Sequence, residues 1–413
     1  MADMQNLFPN KGQFDLLNAN VAAIAAANAS TIFADYGAIA RIVRQGLGPQ
    51  FFQIGDQINV KYTDPTNSET VYDWPFDVVH HGNVTLEDGE VVPGMFLQAH
   101  YCSPYGVMFD QSEALYYCSD ALPAGTYNFT IGSTLGESGN VVAGKSYSFT
   151  TTQQVPAGGQ VRVGKATESD PWSAPDTSPS AWKVHTYASP SATETIETGL
   201  ALTEGAQGTS LGTTTTEILY SNEGINNLHR AGYGYNRWSQ SGIRQYLNSN
   251  AAKGAWWTPK NNFDRPPAQL PTYPGFMAGL EEDFLAVLKP VKVTTALNTK
   301  SDSAIGTSED TYDTFFLASL QQQYITPQLA DVEGETWEYW KRAVGSTSPV
   351  QWYQDGAFPK TYAINAKTSA QYVRLRSAYR AGAARTWYVS SSGGVGHSTA
   401  AWASRFSPAC VIC

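Results

Sequence analysis

The residues with most to offer a partner lie in 374–413, RLRSAYRAGAARTWYVSSSGGVGHSTAAWASRFSPACVIC. The only charges there are Arg374, Arg376, Arg380, Arg385 and Arg405, with His397 beside them. Asp, Glu, Asn, Gln, Lys and Met are all missing from the stretch. Small residues alternate with isolated Tyr, Trp, Arg and His. Rigid amphipathic rings, adaptable hydroxyls and a forked cation are the equipment of a binding loop, not of a bond-making centre. The candidate contacts are Tyr379, Arg380, Arg385, Tyr388, Ser390, His397, Ser398, Thr399, Trp402 and Ser404.

No HExxH occurs. GTSLG at 208–212 and GNVVAGKS at 139–146 match the bare GxSxG and P-loop spacings. But 145–150 reads as a strand where a P-loop needs a helix, and no helical period follows 212, so no catalytic residue is assigned and no enzyme is expected. Glu281, Glu282, Asp283, Asp310 and Asp313 cluster in sequence, and a charged helix face or first turn accounts for them. Asp310 and Asp313 leave a calcium site open as an alternative, although a loop of ligand spacing is lacking. His80 and His81 are adjacent, so on a strand they point to opposite faces and do not share a metal with His100. Cys410 and Cys413 have CxxC spacing, but strand residues three apart also face opposite sides. Cys102 and Cys118 flank an expected hairpin and are spaced so that they could pair, but buried free thiols are the expectation for both. No metal and no cofactor are expected.

The frame that must hold the terminal face is apolar. Trp387 and Val389 alternate in a strand-like run, and residues 408–413 read as a buried strand that ties the terminus into a sheet. Upstream, Ser239 is a candidate N-cap for a helix carrying Ile243, Tyr246 and Leu247 on one face. A second helix is expected over 274–288, with Phe276, Leu280, Phe284, Leu285 and Leu288 as its stripe. Strands follow near 291–295, 310–317, 361–364 and 371–375.

This order of elements, together with Arg376-Ser377-Ala378, Arg380, Trp387, Val389, Gly393, the Ala400 region and 405–410, resembles the variable proteins of diversity-generating retroelements. Those are phage and prophage proteins whose binding domain is C-type-lectin-like. The close match is to the terminal stretch, and the looser one covers 218–413. In that family, mutagenesis of Asn codons at their first two bases cannot produce Lys, Glu, Gln or Met, which fits their absence here. A Ser/Gly/Ala-rich lectin loop with ordinary bias is the competing reading. The same broad fold hosts copper-binding formylglycine-generating enzymes, but Cys410 and Cys413 lie in an apolar run with no polar cleft signal.

The resemblance implies a virion surface protein of a bacteriophage that binds a host-surface protein or glycan during host adsorption. It also implies a homotrimer and contacts with other virion structural proteins. A capsid or tail decoration protein with incidental glycan affinity is the alternative. A net charge of −10 argues against a general nucleic-acid binder. No run is apolar enough for membrane insertion and no signal segment opens the chain, as expected of a virion component made in the bacterial cytoplasm.

The fold class expected is α+β in three parts. A helical attachment or oligomerisation segment spans 1–48, where Leu16, Leu17, Val21, Ile24, Ile39, Ile42 and Val43 recur at helical spacing. Its partner surface is either another chain or its own domain. Short strands with Gly/Pro turns make 49–155 a β-sandwich or small barrel, with Asp88-Gly89 as a hairpin turn. The turn-rich 156–159 marks the boundary to a C-type-lectin-like domain over 156–413, with its variable face at 376–407.

Overall fold

An entirely apolar strand is stable only where both its faces and both its edges are covered. Pro408–Ile412 meets that condition: every residue is buried, and it pairs antiparallel with Val91–Ala99 on one side and Phe315–Leu317 on the other. The computed structural model describes residues 35–66, 70–130, 145–164, 182–211, 217–218, 227–341 and 359–413. Among the described residues strands take up 39% and helices 13%, so the fold there is mostly β with a few short helices.

The sheet that holds the terminus runs Gln57–Thr63, Val71–Thr85, Val91–Ala99, Pro408–Ile412, Phe315–Leu317. Asp88-Gly89 forms the hairpin turn expected of it, with Gly89 at φ 88°. Helix Tyr36–Arg44 starts at Asp35, whose carboxylate accepts the Ala38 N–H, and buries Ile39, Ala40 and Val43. These three join the sheet's own core, so this helix has its partner within the chain. Arg44 Nε also donates to the Cys413 carbonyl at 2.8 Å. The apolar positions expected between Leu16 and Ile24 lie outside the described residues.

A second core sits between two smaller sheets. One is Thr195–Ala201, Lys183–Tyr187, Gln160–Gly164, Tyr116–Tyr117, Glu217–Ile218; the other is Thr203–Glu204, Ser146–Thr151, Gly125–Thr130, Thr209–Ser210. They enclose Tyr116, Phe129, Tyr147, Phe149, Val161, Val184 and Leu202. This sandwich straddles the boundary expected at 155–156. Residues 156–159 form a tight turn inside it: the Gly159 N–H donates to Pro156 O, and the Cys118 N–H to Gly159 O. Gly158 takes φ 83°, and a Cβ on Gly159 would meet Tyr187 O at 2.6 Å. The Gly-Gly pair therefore serves a close approach of strands and not a linker. Strands 57–99, expected in the same domain as the sandwich, share a sheet with the C-terminus instead.

Two helix expectations need correction. The cap is Ser241, whose Oγ accepts the Arg244 N–H at 3.3 Å, and the helix is Gly242–Leu247. Ser239 lies in a 3-10 turn, where its N–H is taken by Glu309 Oε1. The buried stripe of Ile243, Tyr246 and Leu247 is as expected. Over 274–288 the chain forms a 3-10 turn, Phe276–Gly279, and a short helix, Glu282–Leu285. Leu280 straightens between them to bridge Tyr62, so sheet pairing interrupts the helical period.

Candidate functional site

The terminal face is a five-stranded sheet ordered Val395–Thr399, Arg385–Val389, Val373–Ala378, Ala403–Phe406, Val107–Met108. Val373–Ala378 is buried at all six positions and anchors the sheet to the rest of the protein. Arg376 donates to the carbonyls of Leu317, Glu333 and Thr294 and to Gln322 Oε1, at 2.6–3.1 Å. Ser377 Oγ donates to Glu333 Oε2 at 2.5 Å.

Arg374 clasps the outer strands. Its guanidinium donates to Thr386 Oγ1 at 2.6 Å, to Trp402 O at 2.7 Å and to Thr399 O at 3.1 Å. A longer contact reaches Ser398 O at 3.4 Å. No ion pair to Arg374 is found among the described residues. Burial lowers the guanidinium to about 9, against a small opposing pull from Tyr388, so the group is charged at neutral pH. Most of its acceptors are backbone carbonyls. The clasp therefore depends little on which side chains occupy the outer strands.

Val395–Thr399 is the sheet's edge, and all five of its residues are half-exposed. A strand with one face on a core alternates between buried and exposed; this one offers both faces to solvent. Its register sets Trp387 opposite His397 and Tyr388 opposite Gly396. Neighbouring strand residues point to opposite sides, so two aromatic clusters form, one on each side of the edge.

On one side the Tyr379 ring stacks on His397 with centroids 3.9 Å apart, and Trp387 meets both rings edge-on at 5.8 and 5.3 Å. Arg385 projects beside them, exposed. Burial, then the charge of Arg385, push the His397 imidazole below its ordinary pKa. Trp387 Nε1 and His397 Nδ1 have no hydrogen-bond partner among the described residues. Across the edge, Tyr372, Tyr388 and Trp402 meet edge-to-face at 5.2–5.9 Å. A Cβ on Gly396 would lie 2.7 Å from the Tyr388 hydroxyl, so only glycine there lets that ring lie across the edge strand.

Of the expected contacts, Tyr379, Arg385, His397 and Thr399 share the first side, and Tyr388, Ser398 and Trp402 the second. Ser390 caps the turn into the edge strand, with its Oγ 3.1 Å from Ser392 Oγ. Arg380 sits in a loop and donates to Thr307 O at 3.2 Å. Ser404 is corrected: it is 2% exposed in a strand with an inward hydroxyl, so it is frame and not contact. Tyr372, 39% exposed, was missed. It precedes Arg374 by two and so shares its face, a signal visible in the alternation. Trp387, expected as scaffold, is half-exposed and belongs to the first cluster.

The other expectations resolve into structural networks. Asp310 pairs with Lys292 at 2.8 Å and Asp313 with Arg244 at 2.6 Å, so each carboxylate is neutralised by its own base. His81 Nε2 contacts Phe52 O, while His80 turns toward Glu335. His100 Nδ1 and Lys360 Nζ bind Asp77 at 2.9 and 2.5 Å. Cys102, Cys118, Cys410 and Cys413 are buried and free.

A family described as "Domain of unknown function (DUF6273)" matches residues 213–412. The matched span takes in the clasp, both clusters and the terminal strand, but not strands 57–99 or most of the sandwich. No curated protein and no solved structure matches the chain.

Proposed function

We propose that the protein is a phage virion component that binds a host-surface protein or glycan across the edge strand Val395–Thr399, within a C-type-lectin-like domain. The reading rests above all on the Arg374 clasp, which fixes the outer strands through backbone carbonyls. Such a frame leaves positions such as 379, 385, 388, 398 and 402 open to replacement, as a diversified binding face requires. A partner lying over the edge meets Tyr379, Trp387 and Arg385 on one side and Tyr372, Tyr388 and Trp402 on the other. Rings and arginine are the side chains that dominate recognition energy. A trimer would add avidity to individually weak contacts.

The reading is tested with a display library randomised at Tyr379, Arg385, Tyr388, Ser398 and Trp402. Most members are expected to resist protease like the parent while differing in the bacterial surfaces they bind. A library in which few members fold would mean these residues are core, and the proposal would fail. Mass spectrometry of purified particles tests the virion assignment separately.

A further inference from the structure

A cleft of about 560 Å³ lies between strand Val71–Thr85, strand Val291–Ala296 and the loop 331–337, with Arg376 of the terminal sheet's anchoring strand in its lining. Its size is that of small-molecule sites. Two buried polar atoms in its lining have no hydrogen-bond partner among the described residues: His80 Nδ1 and Gln321 Oε1. His80 is 8% exposed. A buried polar atom left unpaired is costly, so a native structure keeps few without reason.

Gln321 Oε1 is an acceptor, and so is His80 Nδ1 in the tautomer that carries its proton on Nε2, which faces Glu335 Oε2 at 3.5 Å. Burial lowers the imidazole pKa and keeps the ring neutral, outweighing the opposing pull of Glu338 and Glu335. Asp331 and Glu335 add carboxylate acceptors. Phe96 supplies aromatic surface, with the buried Trp337 packed against it at a ring-centroid distance of 6.1 Å. A fitting ligand must therefore bring several donors and one apolar face. We infer that this cleft is a binding site for a saccharide unit, whose hydroxyls donate to His80 Nδ1 and Gln321 Oε1 while its C–H face lies on the Phe96 ring. The inference is independent of the terminal face.

Saturation-transfer NMR on the full chain tests it with glucose, galactose, mannose, N-acetylglucosamine and glucosamine, and with spermidine as a donor-rich non-saccharide. At least one sugar should bind saturably. Gln321→Leu should weaken that binding tenfold or more without lowering the melting temperature, because it deletes an acceptor that has no partner among the described residues. His80→Phe should do the same and guards against failure of the first variant. The inference is overturned if no sugar saturates, if spermidine alone binds, or if either folded variant binds as tightly as the parent.

Discussion

Replacing Arg374 by Met keeps the apolar stem and removes the clasp. Three short hydrogen bonds are lost, to Thr386 Oγ1, Trp402 O and Thr399 O, at 2.6, 2.7 and 3.1 Å. Hydrogen bonds from a charged donor contribute about 1.5–3 kcal/mol each. Against that gross gain, an unpaired buried charge costs several kcal/mol in lost hydration. The net expectation is a destabilisation of about 2–4 kcal/mol. Arg374→Lys keeps a charge but not the fork, so it should recover only part of the loss. Urea unfolding read by linear extrapolation gives the change in stability, provided the slope is unchanged. Hydrogen exchange gives its location, and amides of 395–402 should lose protection first. A Met variant within about 0.5 kcal/mol of the parent, inside the range of ordinary surface substitutions, with exchange in 395–402 unaltered, would sink the clasp argument.

Three other outcomes follow from the same reasoning. Deleting 408–413 removes an interior strand and should abolish cooperative unfolding of the first core; a truncated chain with the parent's melting curve would show that the strand is dispensable. Burial and the neighbouring Glu113 push the Asp264 carboxyl up to about 7, above its unfolded value. Its contribution is therefore fully present below about pH 4 and lost as pH rises through 7, so Asp264→Asn should flatten the stability slope between pH 4 and 7; an unchanged slope assigns the proton elsewhere. Burial opposes ionisation of Asp77, but Lys360 and His100 outweigh it and hold the carboxyl at about 2. That contribution is present above pH 4 and lost as pH falls through 2. Lys360→Met leaves a buried carboxylate without its nearest cation and should cost about 3–5 kcal/mol at pH 7; a neutral effect in urea unfolding would contradict the pairing.

Short-range patterns were legible in the sequence, and long-range pairings were not. The apolar run of Pro408–Ile412 announced a buried strand, and Ile243, Tyr246 and Leu247 a buried helix face. Nothing local said that the terminal strand would insert beside Val91–Ala99, because strand partners are set by tertiary packing. The Gly-rich 156–159 looked like a linker since tight turns and linkers share a composition. The helix expected over 274–288 yielded to a bridge between Leu280 and Tyr62, a contact 218 residues apart in sequence. At the terminal face, residue types picked out side chains that are exposed or half-exposed, Ser404 apart, but only the register showed that Tyr379 and Tyr388 lie on opposite sides. Arg374 was one charge among five in the stretch, and its burial depends on carbonyls that only the folded sheet assembles.

The central claim is that partners are held across the edge strand by both clusters. Its most direct test is binding of the fluorescent full chain to a bacterial strain selected because the parent binds it. Tyr379→Ala and Tyr388→Ala, one from each side, should each weaken binding roughly thirtyfold, as loss of a central ring worth about 2 kcal/mol implies. Both variants should melt within a few degrees of the parent. Folded variants that bind as the parent does, or a loss confined to one side, would contradict a partner seated across the edge.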